Sequence, residues 1–135
     1  MLGSIWRTIK FLTPTLNRKL SKFGYEMAAK NFQFDDWKFM NFGYVYDDEK
    51  DNPKLDKIDE NDRYFIQLYD QVIKNLELKN KKILEVGSGR GGGASFISKY
   101  HKPLSYIGID ISQNAIDFSN RIYNLDELSF SQGDA

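Results

Sequence analysis

Apolar side chains at Phe65, Leu68, Tyr69, Val72, Ile73 and Leu76 recur every three or four residues, which is the spacing of one face of an amphipathic helix. After the polar turn "KNKK" the pattern shortens to "KILEV", a β-rich run that ends in glycine. A second helix is predicted from about Gly91 to His101, with Ala94, Phe96 and Ile97 facing a sheet and Pro103 closing it. "SYIGID" reads as a second strand and Ser112 as the N-cap of a third helix, whose inner side carries Ala115, Ile116, Ser119, Ile122 and Tyr123. A third strand, "LSFSQ", starts at Leu128 and leads into "GDA". Strand, helix, strand, helix, strand is one half of a doubly wound parallel sheet. The fold class is therefore α/β and Rossmann-like, with the first three strands of an incomplete sheet.

Upstream the pattern changes twice. Ile5, Ile9 and Leu12 share one side before Pro14, and Leu16, Leu20 and Phe23 continue it, so residues 1–45 are predicted to be an N-terminal helical cover segment. Residues 46–62, "YDDEKDNPKLDKIDEND", read as an acidic surface linker. The α/β domain occupies residues 61–135.

Composition narrows the function classes. With 41% apolar and 28% charged residues, the 135-residue chain is globular and long enough for one domain. Lys plus Arg equals Asp plus Glu at 19 each, which argues against nucleic acid as a partner. The balance is uneven along the chain: residues 1–30 carry six basic side chains and one acid, and residues 31–62 carry ten acids and four lysines. The basic segment has two readings, a cover over the site or a helix in peripheral contact with an anionic membrane. The absence of cysteine excludes a disulfide scaffold and thiolate metal sites and fits a reducing cytoplasm. No uninterrupted apolar run has the length of a signal peptide core or a membrane span, so the chain reads as soluble. The acid run lacks the spacing of a calcium loop and His101, the single histidine, reads as a helix-end cation, so no metal site is expected.

The candidate chemistry lies in "ILEVGSGRGGGASF", Ile83 to Phe96, which packs five glycines between strand and helix. Glycine inside either element costs roughly 0.5–1 kcal/mol relative to alanine, so this number calls for a backbone that something must approach closely. A glycine turn leading into a helix start offers unpaired N–H groups to a ligand. Gly87, Gly89 and Gly92 satisfy the dinucleotide pattern G-x-G-x-x-G, and Asp110 follows Gly89 by 21 residues, where a carboxylate would accept ribose hydroxyls. NAD is viable on that pattern alone. Glu85, two residues before the first glycine, favours S-adenosyl-L-methionine instead. A carboxylate inside a strand needs a cation or hydrogen-bond donors, and that cofactor brings an ammonium and no pyrophosphate. Arg90 is placed to reach a cofactor carboxylate or to make a surface salt bridge.

These residues resemble the class I S-adenosylmethionine-dependent methyltransferases. The first motif of that family, acid-x-Gly-x-Gly-x-Gly, is matched by "EVGSGRG" from Glu85 to Gly91; the second, an acid ending strand two, by Asp110 in "YIGIDIS"; the third by "SQGDA" with Asp134 and Ala135. "GRGGGASF" with "FMNFGYVYDDE" upstream resembles the phthiotriol and phenolphthiotriol dimycocerosate methyltransferases, which O-methylate long-chain lipids. The resemblance implies that Glu85, Gly87, Ser88, Gly89 and Gly91 line the methionine and ribose end. It implies ribose contact by Asp110, adenine packing by Ile111, and adenine-edge hydrogen bonds from Asp134 and Ala135. Asn41, Gly43 and Tyr44 are further candidates, from a Gly-Tyr pair that reaches the cofactor in related enzymes.

The resemblance also implies a seven-stranded sheet, of which this chain carries the first three strands, so no catalytic base is named. Two functions follow as expectations: methyl transfer to a small-molecule or lipid acceptor, with this chain supplying the cofactor-binding half, or a non-catalytic nucleoside-binding module. An NAD-binding oxidoreductase fragment is a third.

Overall fold

In the computed structural model, which describes residues 37–134, three strands pair in parallel and in chain order: β1 (Lys82–Val86), β2 (Ser105–Asp110) and β3 (Leu128–Gln132). Side chains alternate across a strand, and the register sets Glu85 opposite Gly108 and Gly108 opposite Phe130. Ile83, Glu85, Tyr106, Gly108, Asp110 and Phe130 therefore share one face. Three helices pack on that side: α1 (Arg63–Ile73), α2 (Gly92–His101) and α3 (Gln113–Ile122). The core lies between them, where Phe39, Ile66, Phe96, Ile97, Tyr106, Ile116 and Phe130 form one cluster. Full burial of each such side chain contributes roughly 1.5–3 kcal/mol. On the opposite face Leu84, Val86 and Ile107 are exposed, at 63%, 58% and 43% of their surface.

The predicted strands and the last two helices lie where the pattern puts them. Ser112 caps α3 by accepting from the Ala115 N–H, and Lys102, at φ 50°, ends α2 just ahead of Pro103. α1 differs in its face. Ile73 is buried as predicted and Phe65 and Tyr69 pack against the core, but Val72 is exposed, and so is Leu76, which lies beyond the end of the helix. Ile66 and Gln67 take the inner positions. Periodicity excludes a buried glutamine, yet Gln67 is buried with its Nε2 donating to Asn52 Oδ1 at 2.6 Å and its Oε1 left without a partner. In α3 the buried Phe118 joins the inner side predicted without it.

The acidic segment 46–62 is tied to the helices. Lys99 on α2 lies 2.7 Å from both Asp56 and Asp59, Tyr100 donates to Asp59 at 2.6 Å, and Arg63 grips Glu60 with two nitrogens. Burial pushes the Asp59 carboxyl upward, but the bonds from Lys99 and Tyr100 outweigh it and hold the group below the usual carboxylate range. The N-terminal cover predicted at residues 1–45 falls mostly on residues 1–36, which lie outside the described residues, as does Ala135.

Candidate functional site

β1 ends at Val86, and the next two amides both turn toward β2: Gly87 N–H and Ser88 N–H donate to the Ile109 carbonyl at 2.8 and 3.0 Å. This double bond to a single oxygen pins the start of the loop against the neighbouring strand. Gly91 then caps α2 at φ 79°, in the left-handed region that glycine adopts at no steric cost.

The glycines divide by what a side chain would meet. A Cβ at Gly91 would lie 2.7 Å from the Phe130 ring, at Gly92 the same distance from the Lys38 carbonyl, and at Gly93 it would overlap the Tyr69 ring. These three serve packing. A Cβ at Gly89 would sit 3.2 Å from the Met40 sulfur, and at Gly87 it would enter open space with no atom within 4 Å. The first half of the loop is thus the part with room for a ligand.

Two carboxylates stand beside that half. Asp110, at the end of β2, accepts from the Gly89 N–H at 2.8 Å through one oxygen and from the Ser112 N–H at 2.8 Å through the other. It couples the glycine loop to the start of α3. Glu85 accepts from the Tyr69 hydroxyl at 2.9 Å and from the Tyr106 hydroxyl at 3.0 Å. Burial raises the Glu85 carboxyl above its ordinary value, the nearby Asp110 charge adds to this, and the two tyrosine bonds oppose it without cancelling it. Burial and the Glu85 charge push both phenols far above their usual range.

A strap from Trp37 to Tyr44 crosses the loop from outside. The Trp37 carbonyl accepts from Arg90 Nε at 2.5 Å, the Lys38 carbonyl accepts from the Gly92 N–H at 3.2 Å, and Met40 covers Gly89. Arg90 itself is buried and stacks over Phe118, its guanidinium 3.5 Å from the ring centroid. The strap carbonyl and the ring hold it under the loop. Asn41 donates to the Phe65 carbonyl and accepts from the Gly43 N–H, and Tyr44 N–H donates to the Tyr64 carbonyl. The strap is thereby fastened to α1 as well. Nothing in its periodicity marks it; its sequence signals are the Asn-x-Gly turn and the Gly-Tyr pair.

Of the other candidates, Ser88 turns inward, with only 5% of its surface exposed and its hydroxyl among the buried polar atoms that have no partner. Ile111 is half-buried beside Asp110, and its carbonyl accepts from Gln132 at 3.0 Å. Gly133 N–H bonds the Asp110 carbonyl at 3.0 Å, which brings the exposed Asp134 to the same strand ends. His101 sits in the last turn of α2, edge-on to Phe96. Tyr69 and Tyr106 went unrecognised as site residues, since their partnership with Glu85 is made only in three dimensions.

Chemically the site offers acceptor oxygens at Glu85 and Asp110, a glycine backbone with open space at Gly87, and a buried serine hydroxyl. This donor set fits a ligand with a ribose diol and a cationic group. A pyrophosphate beside the two carboxylates would meet like charge.

No family model matches the chain. It is 38% identical over 130 residues to a fatty-acid O-methyltransferase of Mycolicibacterium smegmatis, with 96% of this chain and 46% of that protein covered. It is 36% identical over 118 residues to a probable phthiotriol/phenolphthiotriol dimycocerosates methyltransferase of Mycobacterium ulcerans, covering 87% of this chain and 45% of the relative. The chain thus spans a little under half the length of the curated relatives it matches. Among solved structures it is similar to geranyl diphosphate C-methyltransferase from Streptomyces coelicolor, with a TM-score of 0.56 and 18% identity, over 83% of this chain and 46% of that one. A putative sarcosine dimethylglycine methyltransferase from Galdieria sulphuraria gives a TM-score of 0.54 at 18% identity, over 79% and 42%. Sequence relatives that are methyltransferases and a fold shared with methyltransferases agree with the three motifs, and the chain is similar to the S-adenosylmethionine-dependent methyltransferases in both sequence and fold.

Proposed function

We propose that this chain supplies the S-adenosylmethionine-binding part of an enzyme that methylates an oxygen of a lipid. The observation that carries the reading is the Asp110 carboxylate bonded to the Gly89 N–H, on the same sheet face as Glu85 and beside the open space at Gly87. Asp110 receives the ribose hydroxyls, the Gly87–Gly89 backbone lies against the ligand without side chains in the way, and Glu85 provides negative charge for an ammonium. Ile111 and Asp134, at the same strand ends, take the adenine. Tyr44 holds the strap side of the site. When bound, the cofactor supplies a methyl group on a sulfonium for in-line displacement, a reaction that depends largely on positioning.

The lipid acceptor rests on the relatives, which are named for fatty acids and phthiotriol lipids. A basic segment at residues 1–30 suits both a cover over such an acceptor and contact with an anionic membrane surface. No helix among the described residues is long and apolar enough to cross a membrane. The test is photochemical cross-linking of methyl-labelled S-adenosylmethionine to the chain, followed by peptide mapping. Label within residues 85–91, 110–111 or 134 supports the reading; saturable label confined to other positions contradicts it.

A further inference from the structure

Glu85 is one residue short of the end of β1, on the covered sheet face, and each of its oxygens receives a different tyrosine. Tyr106 reaches it along the sheet. It sits on β2 opposite Ile83, the same-face residue two positions before Glu85. Tyr69 reaches it from above, on α1, and its ring occupies the space that a side chain at Gly93 would fill. The register leaves a glycine, Gly108, directly opposite Glu85, so no side chain crowds the carboxylate from that position. A glycine in the first turn of α2 and two phenols on separate elements thus converge on one acid.

We propose that Tyr69 and Tyr106 are positioning residues for the cofactor, fixing the Glu85 carboxylate from two sides as the counter-charge to the cofactor ammonium. This rests on the reading of the loop as an S-adenosylmethionine site. A carboxylate oxygen accepts more than one hydrogen bond, so each retains capacity for a ligand N–H after a tyrosine has bonded it. Bonds to a charged acceptor are the stronger kind, and two of them restrict both the rotation and the protonation of the acid. The charged and titratable groups facing Glu85 are Tyr69 from α1 and Tyr106 and Asp110 from β2. Burial and the Asp110 charge work against ionisation, and the two phenols are what oppose them.

The experiment uses the full chain with Tyr69→Phe and Tyr106→Phe, variants that keep the rings and remove only the hydroxyls. Two probes are titrated: S-adenosylmethionine, and 5′-methylthioadenosine, which keeps the adenine and ribose but has no ammonium. Each variant is expected to weaken S-adenosylmethionine about 3–10-fold, the range for one lost hydrogen bond, and to leave methylthioadenosine within 2-fold. The loss should grow as pH falls, because Glu85 then protonates at a higher pH than in the wild type, and carboxyl-carbon NMR of Glu85 reads that midpoint directly. Equal effects on both probes, or an unmoved Glu85 midpoint, would overturn the positioning role while leaving the cofactor reading intact. A wild-type chain that binds neither probe contradicts the cofactor reading itself, and the inference with it.

Discussion

The carboxylate of Asp110 and the backbone N–H of Gly89 lie 2.8 Å apart, so the acid that would hold a ribose already holds the turn on which the cofactor would rest. The second oxygen bonds Ser112 N–H, at the N-cap of α3. Asp110→Ala removes both acceptors and leaves two backbone donors without partners. The expected loss is about 1–3 kcal/mol of stability, measured by urea unfolding. Asp110→Asn keeps one acceptor oxygen and should recover part of it.

Gly93→Ala tests the packing glycines. Its new methyl would overlap the Tyr69 ring, and α1 must shift or Tyr69 must leave Glu85. Destabilisation of about 1–3 kcal/mol is expected, the usual range for overpacking a core. Gly87→Ala meets no atom and carries only the backbone strain of φ 78°, roughly 1–2 kcal/mol. Equal losses with equal structural shifts in the two variants would count against this division of the loop.

Arg90→Ala should free the strap. With the guanidinium gone, the Trp37 carbonyl loses a donor and Phe118 loses its stacked cation. Hydrogen exchange at Gly92 N–H, which bonds the Lys38 carbonyl, is expected to speed up by at least an order of magnitude, while β2 amides keep their protection. Unchanged exchange at Gly92 would mean that the strap is held by its α1 contacts alone.

Acid titration separates the two carboxylate environments. Glu85 has a folded pKa above its unfolded value of 4.5, so it contributes stability that is fully present below pH 4.5 and lost as pH rises through the raised folded value. Asp59 is depressed below 3.8, so its contribution is present above that pH and is lost as pH falls through the lower folded value. Glu85→Gln should remove the loss of stability on the way up from pH 4.5, and Asp59→Asn should reduce the loss below pH 3.8. Unfolding midpoints across pH 3–7 check both signs.

Much of this was legible from spacing. The strand boundaries, the Ser112 cap and the glycine turn follow from period and turn chemistry, and Asp110 from its distance to Gly89. What was not legible depends on residues remote in sequence. Gly93 is a glycine because of Tyr69, 24 positions earlier, and Arg90 is buried because Trp37 and Phe118 receive it. The face of α1 differs from the pattern because Gln67, donating from its Nε2 to Asn52 Oδ1, takes an interior position, which a hydrophobic pattern cannot register.

The exposed sheet face sets the behaviour of the isolated chain. Leu84 and Val86 lie beside the outer edge of β1, the end strand of the three-stranded sheet, and Ile107 extends the apolar surface. Such an edge pairs readily with another chain. Sedimentation of the 135-residue protein should reveal concentration-dependent association, and Leu84→Lys should reduce it. A monomer at all concentrations would show that this surface is covered or too small to associate.

Calorimetric titration of the full chain with S-adenosylmethionine is the most direct test of the cofactor assignment. The expected result is saturable one-to-one binding, undisturbed by an excess of NAD and weakened at least 5-fold by Asp110→Ala, about the effect of one lost hydrogen bond. Binding of NAD with no competition from S-adenosylmethionine would contradict the assignment.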